Sequence, residues 1–405
     1  MKQLPPQDIS TAHQPGTPVT PSTARLVGVD LARALAVFGM YVVHLGPAAD
    51  ATSGIGIWVR HLAEGRSSAL FATLAGFSLV LLAGRLEPRT GVAGRQAKAR
   101  IAIRAVVLLA LGTVMATVYG GVVILAFYGL YFLLALPLVR LRARTLAITA
   151  AALAVVLPPL ALGLRSLLSD PISAALKAHD PLDRVGGVGV LDLLLTGFYP
   201  ALPWMAFVVS GMALGRLDLS SGTVRRRLAV FGPALAVFAY GTSWLMSQLF
   251  EGVRSAAEVQ RPSVAGKAGP EDLGADAVGS AWSLLTAGPH SGMPLDVIGC
   301  VGVAITVVIG ATVLLDRLPL LRRLATPVIA VGTMSLTAYV GHFVLSPQLA
   351  GASGSTGAES PASWVPVLVF VVGVTVFAGV WSRFFRRGPL EHLLHLATTP
   401  AKHVR

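Results

Sequence analysis

Between residues 25 and 382 the chain runs through ten apolar stretches, at about 25–46, 66–83, 101–118, 121–139, 145–163, 190–215, 228–249, 295–315, 325–346 and 363–382. An apolar run of roughly 20 residues crosses a bilayer only as a helix, because lipid offers no partner to an unpaired peptide group. The expected fold is therefore all-α: a polytopic transmembrane helix bundle of about ten spans. A charged fraction of 13% agrees with this, being about half of what a soluble domain carries.

The segments around the bundle follow from composition. Residues 1–24 contain PPQ and PGTPVTPST without an apolar core, so they are expected to be a disordered cytoplasmic tail and not a cleaved signal sequence. The bundle is expected over 25–388, with a polar, Gly/Ala-rich outer loop at 250–292 and a basic cytoplasmic tail over 389–405. Between Leu164 and Val188 the mixed sequence SLLSDPISAALKAHDPLDR has amphipathic helical character suited to a surface. The fifth span is expected to end at Pro158-Pro159 or a little beyond, and Tyr199-Pro200 with Pro203-Trp204 to break or kink the sixth.

A net charge of +13 would suggest nucleic acid in a soluble protein. Its distribution argues otherwise. With ten spans, the connections on the side of the termini carry 23 of the 32 Lys and Arg residues, and the opposite connections carry 8. Positive loops stay in the cytoplasm, so both termini are expected there and no nucleic-acid partner is implied. The single cysteine, Cys300, excludes an intramolecular disulfide framework.

The first span carries the chemistry. In DLARALAVFGMYVVH, at about 100° per residue, Asp30, Arg33, Val37, Met40, Tyr41 and His44 share one stripe. Arg33 and His44 lie three turns apart, roughly 16 Å. Charged groups at membrane depth are costly and mark functional sites, although Asp30 and Arg33 are also spaced to neutralise one another as an intrahelical pair. The outward-running ninth span brings His342 to the depth of His44, with Thr337 and Tyr339 below it. The eighth begins at PHSGMPLDVIGC, which sets His290 and Asp296 at the outer mouth, and the sixth enters with Tyr199. Against these readings, His290 also fits an exposed loop histidine, and Asp296 a helix cap.

No HExxH and no paired cysteines are present, so no metal is expected. A Walker loop, a GxGxxG after a strand and a GxSxG elbow are also missing from the sequence. An imidazole is the base this chain offers near neutral pH.

The segments RLVGVDLARALAVFGMYVVH, RSSALFATLAGFSLVLLAGR, YPALPWMAFVVSGMALGR, GTMSLTAYVGHFVL and RRGPLEHLLH occur in this order between Arg25 and His395. They resemble the successive signature segments of the YeiB-like bacterial membrane proteins. Those are grouped with heparan-α-glucosaminide N-acetyltransferase and, more distantly, with the acyltransferase-three family. The arginine and histidine that the latter family separates by ten residues stand here as Arg33 and His44. The chain departs from the YeiB-like pattern LTNYLLQS in its ninth span, where Ala338 and His342 replace the asparagine and the glutamine.

The resemblance implies a multi-pass protein of the bacterial plasma membrane, with a homodimer as the related assembly. It implies an acyl-CoA donor, usually acetyl-CoA, entering from the cytoplasm, and an acceptor hydroxyl or amine, such as a sugar's, met at the outer face. On this reading His44, His342 and Asp296 are the catalytic candidates, and Arg33, Asp30, Arg66, Tyr41 and Tyr199 bind the donor. The alternative is a transporter of a hydrophobic or anionic solute, for which membrane-embedded charges and a broken span also speak.

Overall fold

The computed structural model describes residues 26–47, 52–260, 280–352 and 363–404. The tail expected over 1–24 and the part of the outer loop at 261–279 lie outside the described residues. Every regular element among the described residues is helical. In chain order these are α1 (Val27–Leu45), α2 (Ile55–Ala63), α3 (Arg66–Leu82), α4 (Gly91–Tyr119), α5 (Leu125–Ala135), α6 (Ala143–Leu167), α7 (Asp170–His179), α8 (Pro181–Gly186) and α9 (Ala201–Gly215). They continue as α10 (Gly222–Leu249), α11 (Glu251–Val259), α12 (Pro294–Arg317), α13 (Pro319–Leu324), α14 (Thr326–Thr333), α15 (Ser335–Ala352), α16 (Val365–Phe384) and α17 (Pro389–Ala397).

Helix α1 is central. It has no proline to interrupt it, and it packs on α3, α12, α14, α15 and α16. Asp30, Ala34, Val37, Met40 and Tyr41 are all buried, so the polar stripe faces protein. Helix α3 in turn packs on α9 with backbone nearly touching backbone. A Cβ on Gly76 would lie 1.9 Å from the Val208 carbonyl, and one on Gly211 would lie 1.7 Å from that of Thr73. Small residues at such crossings let van der Waals packing hold helices together where lipid supplies no hydrophobic drive. At the periphery, α10 and α16 turn Phe231, Val237, Trp244, Val369, Val372 and Val380 outward, which suits a lipid-facing surface.

Each of the ten expected stretches is helical, but they are not ten equal spans. Among the described residues seven helices are long and apolar enough to cross a membrane, or eight if the bent pair α14 and α15 counts as one. Helices α5 and α9 are apolar but shorter. Helix α6 carries Pro158 and Pro159 in its interior and runs on to Leu167, past the end expected for it. In the sixth stretch the chain breaks before Ala201, through a π-helical turn at Asp192–Thr196. The Leu195 carbonyl freed there accepts from Arg165 Nε at 2.8 Å and Nη2 at 2.5 Å. Pro203, expected to break this span, sits in the first turn of α9, where a missing N–H costs nothing.

The ninth stretch holds the largest departure. Helices α14 and α15 meet at 85°. No proline causes this bend. Gly332 lies so close to α1 that a Cβ would sit 1.7 Å from the Asp30 carbonyl, and the chain turns directly after this contact. The restarted helix finds its cap at the far end of the sequence. Glu391 of α17 accepts from Leu336 N–H at 2.8 Å, Thr337 N–H at 3.2 Å and the Thr337 hydroxyl at 2.6 Å. A carboxylate there satisfies orphan donors and suits the positive end of the helix. The C-terminal segment is thus a docked helix, and beyond it the carbonyls of Lys402 and Val404 accept from Gln96 of α4.

Candidate active site

The break at Met334 aims α15 so that His342 meets His44. His44 Nδ1 lies 2.9 Å from His342 Nε2, and His342 Nδ1 bonds the Tyr339 carbonyl of its own helix. A carbonyl only accepts, so His342 Nδ1 carries the hydrogen and its Nε2, in the neutral ring, is an acceptor. His44 Nδ1 must then donate, which leaves the lone pair of His44 on Nε2. His342 is 2% exposed, and the rings of Phe343, Tyr41 and Tyr339 stand 4.2, 5.1 and 5.2 Å from its own. Tyr41 donates to the Ala338 carbonyl at 2.8 Å, one turn before His342, and so ties α15 to α1 beside the pair.

At the other end of the stripe Arg33 donates to Asp30 at 2.7 Å and to the Ser78 hydroxyl at 2.9 Å. Both expected partners on α1 are therefore confirmed as neighbours, and α3 adds Ser78, which the sequence did not single out. Arg33 belongs to a wider basic group: Arg104 has Arg33, Arg100, Arg387 and the Glu391 carboxylate within electrostatic range. These residues come from α1, α4 and the chain around α17, so only folding gathers them.

Asp296 is not brought to the imidazoles. Its Oδ2 accepts from Gly292 N–H at 3.1 Å and Ser291 Oγ at 3.4 Å, and its Oδ1 from Cys300 Sγ at 3.3 Å. It stands in the first turn of α12 and holds the preceding turn in place, as a helix-start aspartate can. His290 stands in that turn with φ +59°, a left-handed conformation that histidine, with Asn and Asp, enters more readily than most side chains.

Arg66 is engaged with Tyr240, whose hydroxyl accepts from Nε at 3.1 Å and whose ring lies 4.7 Å from the guanidinium carbon. It also donates to the His61 carbonyl. Arg66 and Ser78 are twelve residues apart on α3, roughly 18 Å of helix, so Arg66 lies far from the basic group around Arg33. Its neighbour Gly65 instead abuts His290, whose backbone nitrogen a Cβ there would meet at 3.1 Å.

Tyr199 lies in an aromatic nest. Its ring is 4.9 Å from Trp204, 5.1 Å from Phe198, 5.6 Å from Phe127 and 5.7 Å from His290. Burial, helped by the nearby His44, pushes the His290 imidazole down to about 4, so this ring is neutral at ordinary pH. Among the described residues no group of three or more His, Cys, Asp or Glu residues is arranged to hold a metal ion.

The arrangement offers an oriented imidazole with one lone pair on offer, and a basic group about three turns below it. Comparison with known proteins meets this geometry from another direction. Residues 275–400 match the family model described as a protein of unknown function, DUF418, the YeiB-like family. Residues 25–245, which include Arg33, His44, Tyr199 and Trp204, match the model described as heparan-alpha-glucosaminide N-acetyltransferase, catalytic. No curated protein matches the chain. The chain belongs to the family of the heparan-α-glucosaminide N-acetyltransferase catalytic region, and its C-terminal part carries the YeiB-like signature.

Proposed function

We propose that this protein is a membrane acyltransferase that moves an acetyl or similar short acyl group from a cytosolic CoA thioester to an acceptor at the outer face. The single observation that carries the reading is the His44–His342 hydrogen bond, which leaves His44 Nε2 as an oriented base. His44 takes the proton of the acceptor as that group attacks the thioester carbonyl, and the resulting imidazolium returns the proton to the leaving thiolate. Atoms balance as acceptor plus thioester giving acylated acceptor plus free CoA thiol. His342 keeps His44 in the required tautomer, as the orienting partner of a catalytic histidine does.

The donor's phosphates need fixed cations, and Arg33, Arg100, Arg104 and Arg387 form such a group at the end of α1 remote from His44. Asp30 and Ser78 orient Arg33. With the basic connections in the cytoplasm, both termini and this group face inward and His44 faces outward. Arg66, held by Tyr240 at the outer end, serves there as a brace against α10, not as a phosphate ligand. Asp296 acts through the turn that presents His290.

The transporter reading draws on the 85° break between α14 and α15, since discontinuous helices line many transport sites. One experiment separates the two. Purified protein in nanodiscs is given acetyl-CoA and candidate acceptors, and free thiol is followed. Thiol release that falls by about a thousandfold in His44→Ala, with CoA binding retained, supports the enzyme. Undiminished release in that variant rejects the role of His44, and gradient-driven flux without thiol release supports transport.

A further inference from the structure

Helices α10 and α12 pack closely at Gly232, where a Cβ would lie 2.8 Å from Thr306 Oγ1. Nearer the basic connections they are joined again by an ion pair, Arg225 to Asp316 at 2.5 Å. Over the same stretch the surface is furrowed. A groove of about 410 Å³ runs down α12 past Thr306, Ile309, Gly310, Val313 and Leu314 to Arg317, with Ala229 of α10 as its other wall. A second hollow of about 670 Å³ lies on α10, where Arg226 and Arg227 are lining residues together with Val230, Phe231 and Ala234.

The interior of the groove suits hydrocarbon. Gly310 leaves a gap in its wall, and a Cβ added there meets nothing within 4 Å. The hydroxyl of Thr306 donates to the Gly302 carbonyl at 2.7 Å and so asks for no further partner. From Thr306 to Arg317 is roughly 16 Å of helix. The hydrocarbon of one leaflet is about 15 Å deep, half of a core about 30 Å thick. The groove is therefore as long as one leaflet and ends in an arginine at the level of the headgroups.

What gathers at that level is positive. Residues 221–227 and 316–323 hold six arginines and one carboxylate, Asp316, which Arg225 already occupies. Arg226 and Arg317 each adjoin a member of that ion pair in sequence, so the pair draws them to one end of the groove. Arg226, Arg227 and Arg317 are exposed, and no acid among the described residues forms an ion pair with them. The planar fork of an arginine takes two oxygens of one phosphate. Some lipid must cover a groove that faces the membrane. A zwitterionic headgroup brings an ammonium that these arginines repel, whereas an anionic headgroup does not, and basic pockets between helices on the cytoplasmic side favour it. With the basic connections inside, the leaflet is the inner one.

We infer that the groove between α10 and α12 is a binding site for an anionic phospholipid of the inner leaflet. One acyl chain lies along Gly310 and Val313, and the phosphate is held by Arg317 with Arg226 and Arg227. The site does not depend on the acyltransferase reading.

The test uses full-length protein in nanodiscs of equal parts phosphatidylglycerol and phosphatidylcholine, transferred to detergent and weighed by native mass spectrometry. Retention of phosphatidylglycerol over phosphatidylcholine by about tenfold is expected. Arg226→Gln/Arg227→Gln and, separately, Arg317→Gln should each lower that preference several-fold. Gly310→Leu, which fills the groove, should lower retention of the bound lipid about tenfold. Arg142→Gln/Arg144→Gln removes two exposed charges from another basic connection and should leave the preference unchanged. Equal retention of the two lipids by the wild type overturns the site. An equal fall in the Arg142→Gln/Arg144→Gln control also overturns it, since diffuse surface charge would then select the lipid. If Gly310→Leu splits an oligomer and leaves lipid retention unaltered, a second copy of the chain covers the groove and the site is overturned too.

Discussion

His44 and His342 are 298 positions apart in sequence and share one hydrogen bond of 2.9 Å. The bond exists because α15 restarts at 85° to α14 and because Tyr41 fastens α15 to α1 one turn away. Two helices from opposite ends of the chain thus hold an imidazole pair in one tautomeric arrangement, with Tyr41 beside it.

What His44 needs from its partner is an acceptor for its Nδ1 hydrogen, and a glutamine carbonyl oxygen can supply that. His342→Gln should therefore keep turnover within a few-fold of wild type, while His342→Leu should lose about 10–100-fold, the usual cost of removing an orienting partner. Acetyl-CoA-dependent thiol release measures both. Equal rates in the leucine variant and the wild type would remove His342 from the mechanism.

Gly332 is where α14 meets the Asp30 carbonyl, with no room for a Cβ at 1.7 Å. Gly332→Ala must push α14 away from α1, and overpacking of this kind costs about 1–3 kcal/mol. The apparent thermal midpoint in detergent should fall by several degrees. Gly310→Ala is the comparison: a Cβ there meets nothing within 4 Å, so its midpoint should match or exceed that of the wild type.

The bundle was legible in the sequence because lipid crossing leaves a signal twenty residues long, and the stripe from Asp30 to His44 because helical spacing is regular. Hidden features share a different cause. The bend before Ser335 carries no proline and is set by contact between Gly332 and α1, which no local pattern records. Ser78 reads as one more small polar residue in an apolar helix, yet it binds Arg33. The grouping of Arg100, Arg104 and Arg387 with Arg33 joins residues hundreds of positions apart. Asp296 was legible as a helix-start residue, and that is how its hydrogen bonds are spent.

Glu391 caps α15 from the C-terminal helix, so a change remote from the imidazoles should reach them. Removing a capping carboxylate costs about 0.5–2 kcal/mol. Glu391→Ala should lower the thermal midpoint and also reduce kcat by loosening the half-helix that carries His342, two turns beyond the cap. Glu391→Gln keeps one acceptor oxygen and should recover most of both. A loss of stability in Glu391→Ala with unchanged kcat would confine the residue to a purely structural part.

His290 makes stability depend on pH with a defined sign. Its folded value is pushed down to about 4, mainly by burial and further by His44, whereas an unfolded histidine titrates near 6.5. Between those values the unfolded chain holds a proton that the folded chain does not, so acidification favours unfolding there. The contribution is fully present above about pH 6.5, is lost as pH falls towards 4, and levels off below that. Its full size is roughly 3 kcal/mol. The apparent thermal midpoint of the wild type in nanodiscs should therefore drop between pH 7 and pH 4.5. His290→Gln, which cannot take up the proton, should drop measurably less over the same interval, although its midpoint at pH 7 is free to differ. Parallel midpoint curves for the two proteins would mean that His290 is solvated and titrates normally, and that the turn held by Asp296 does not bury it.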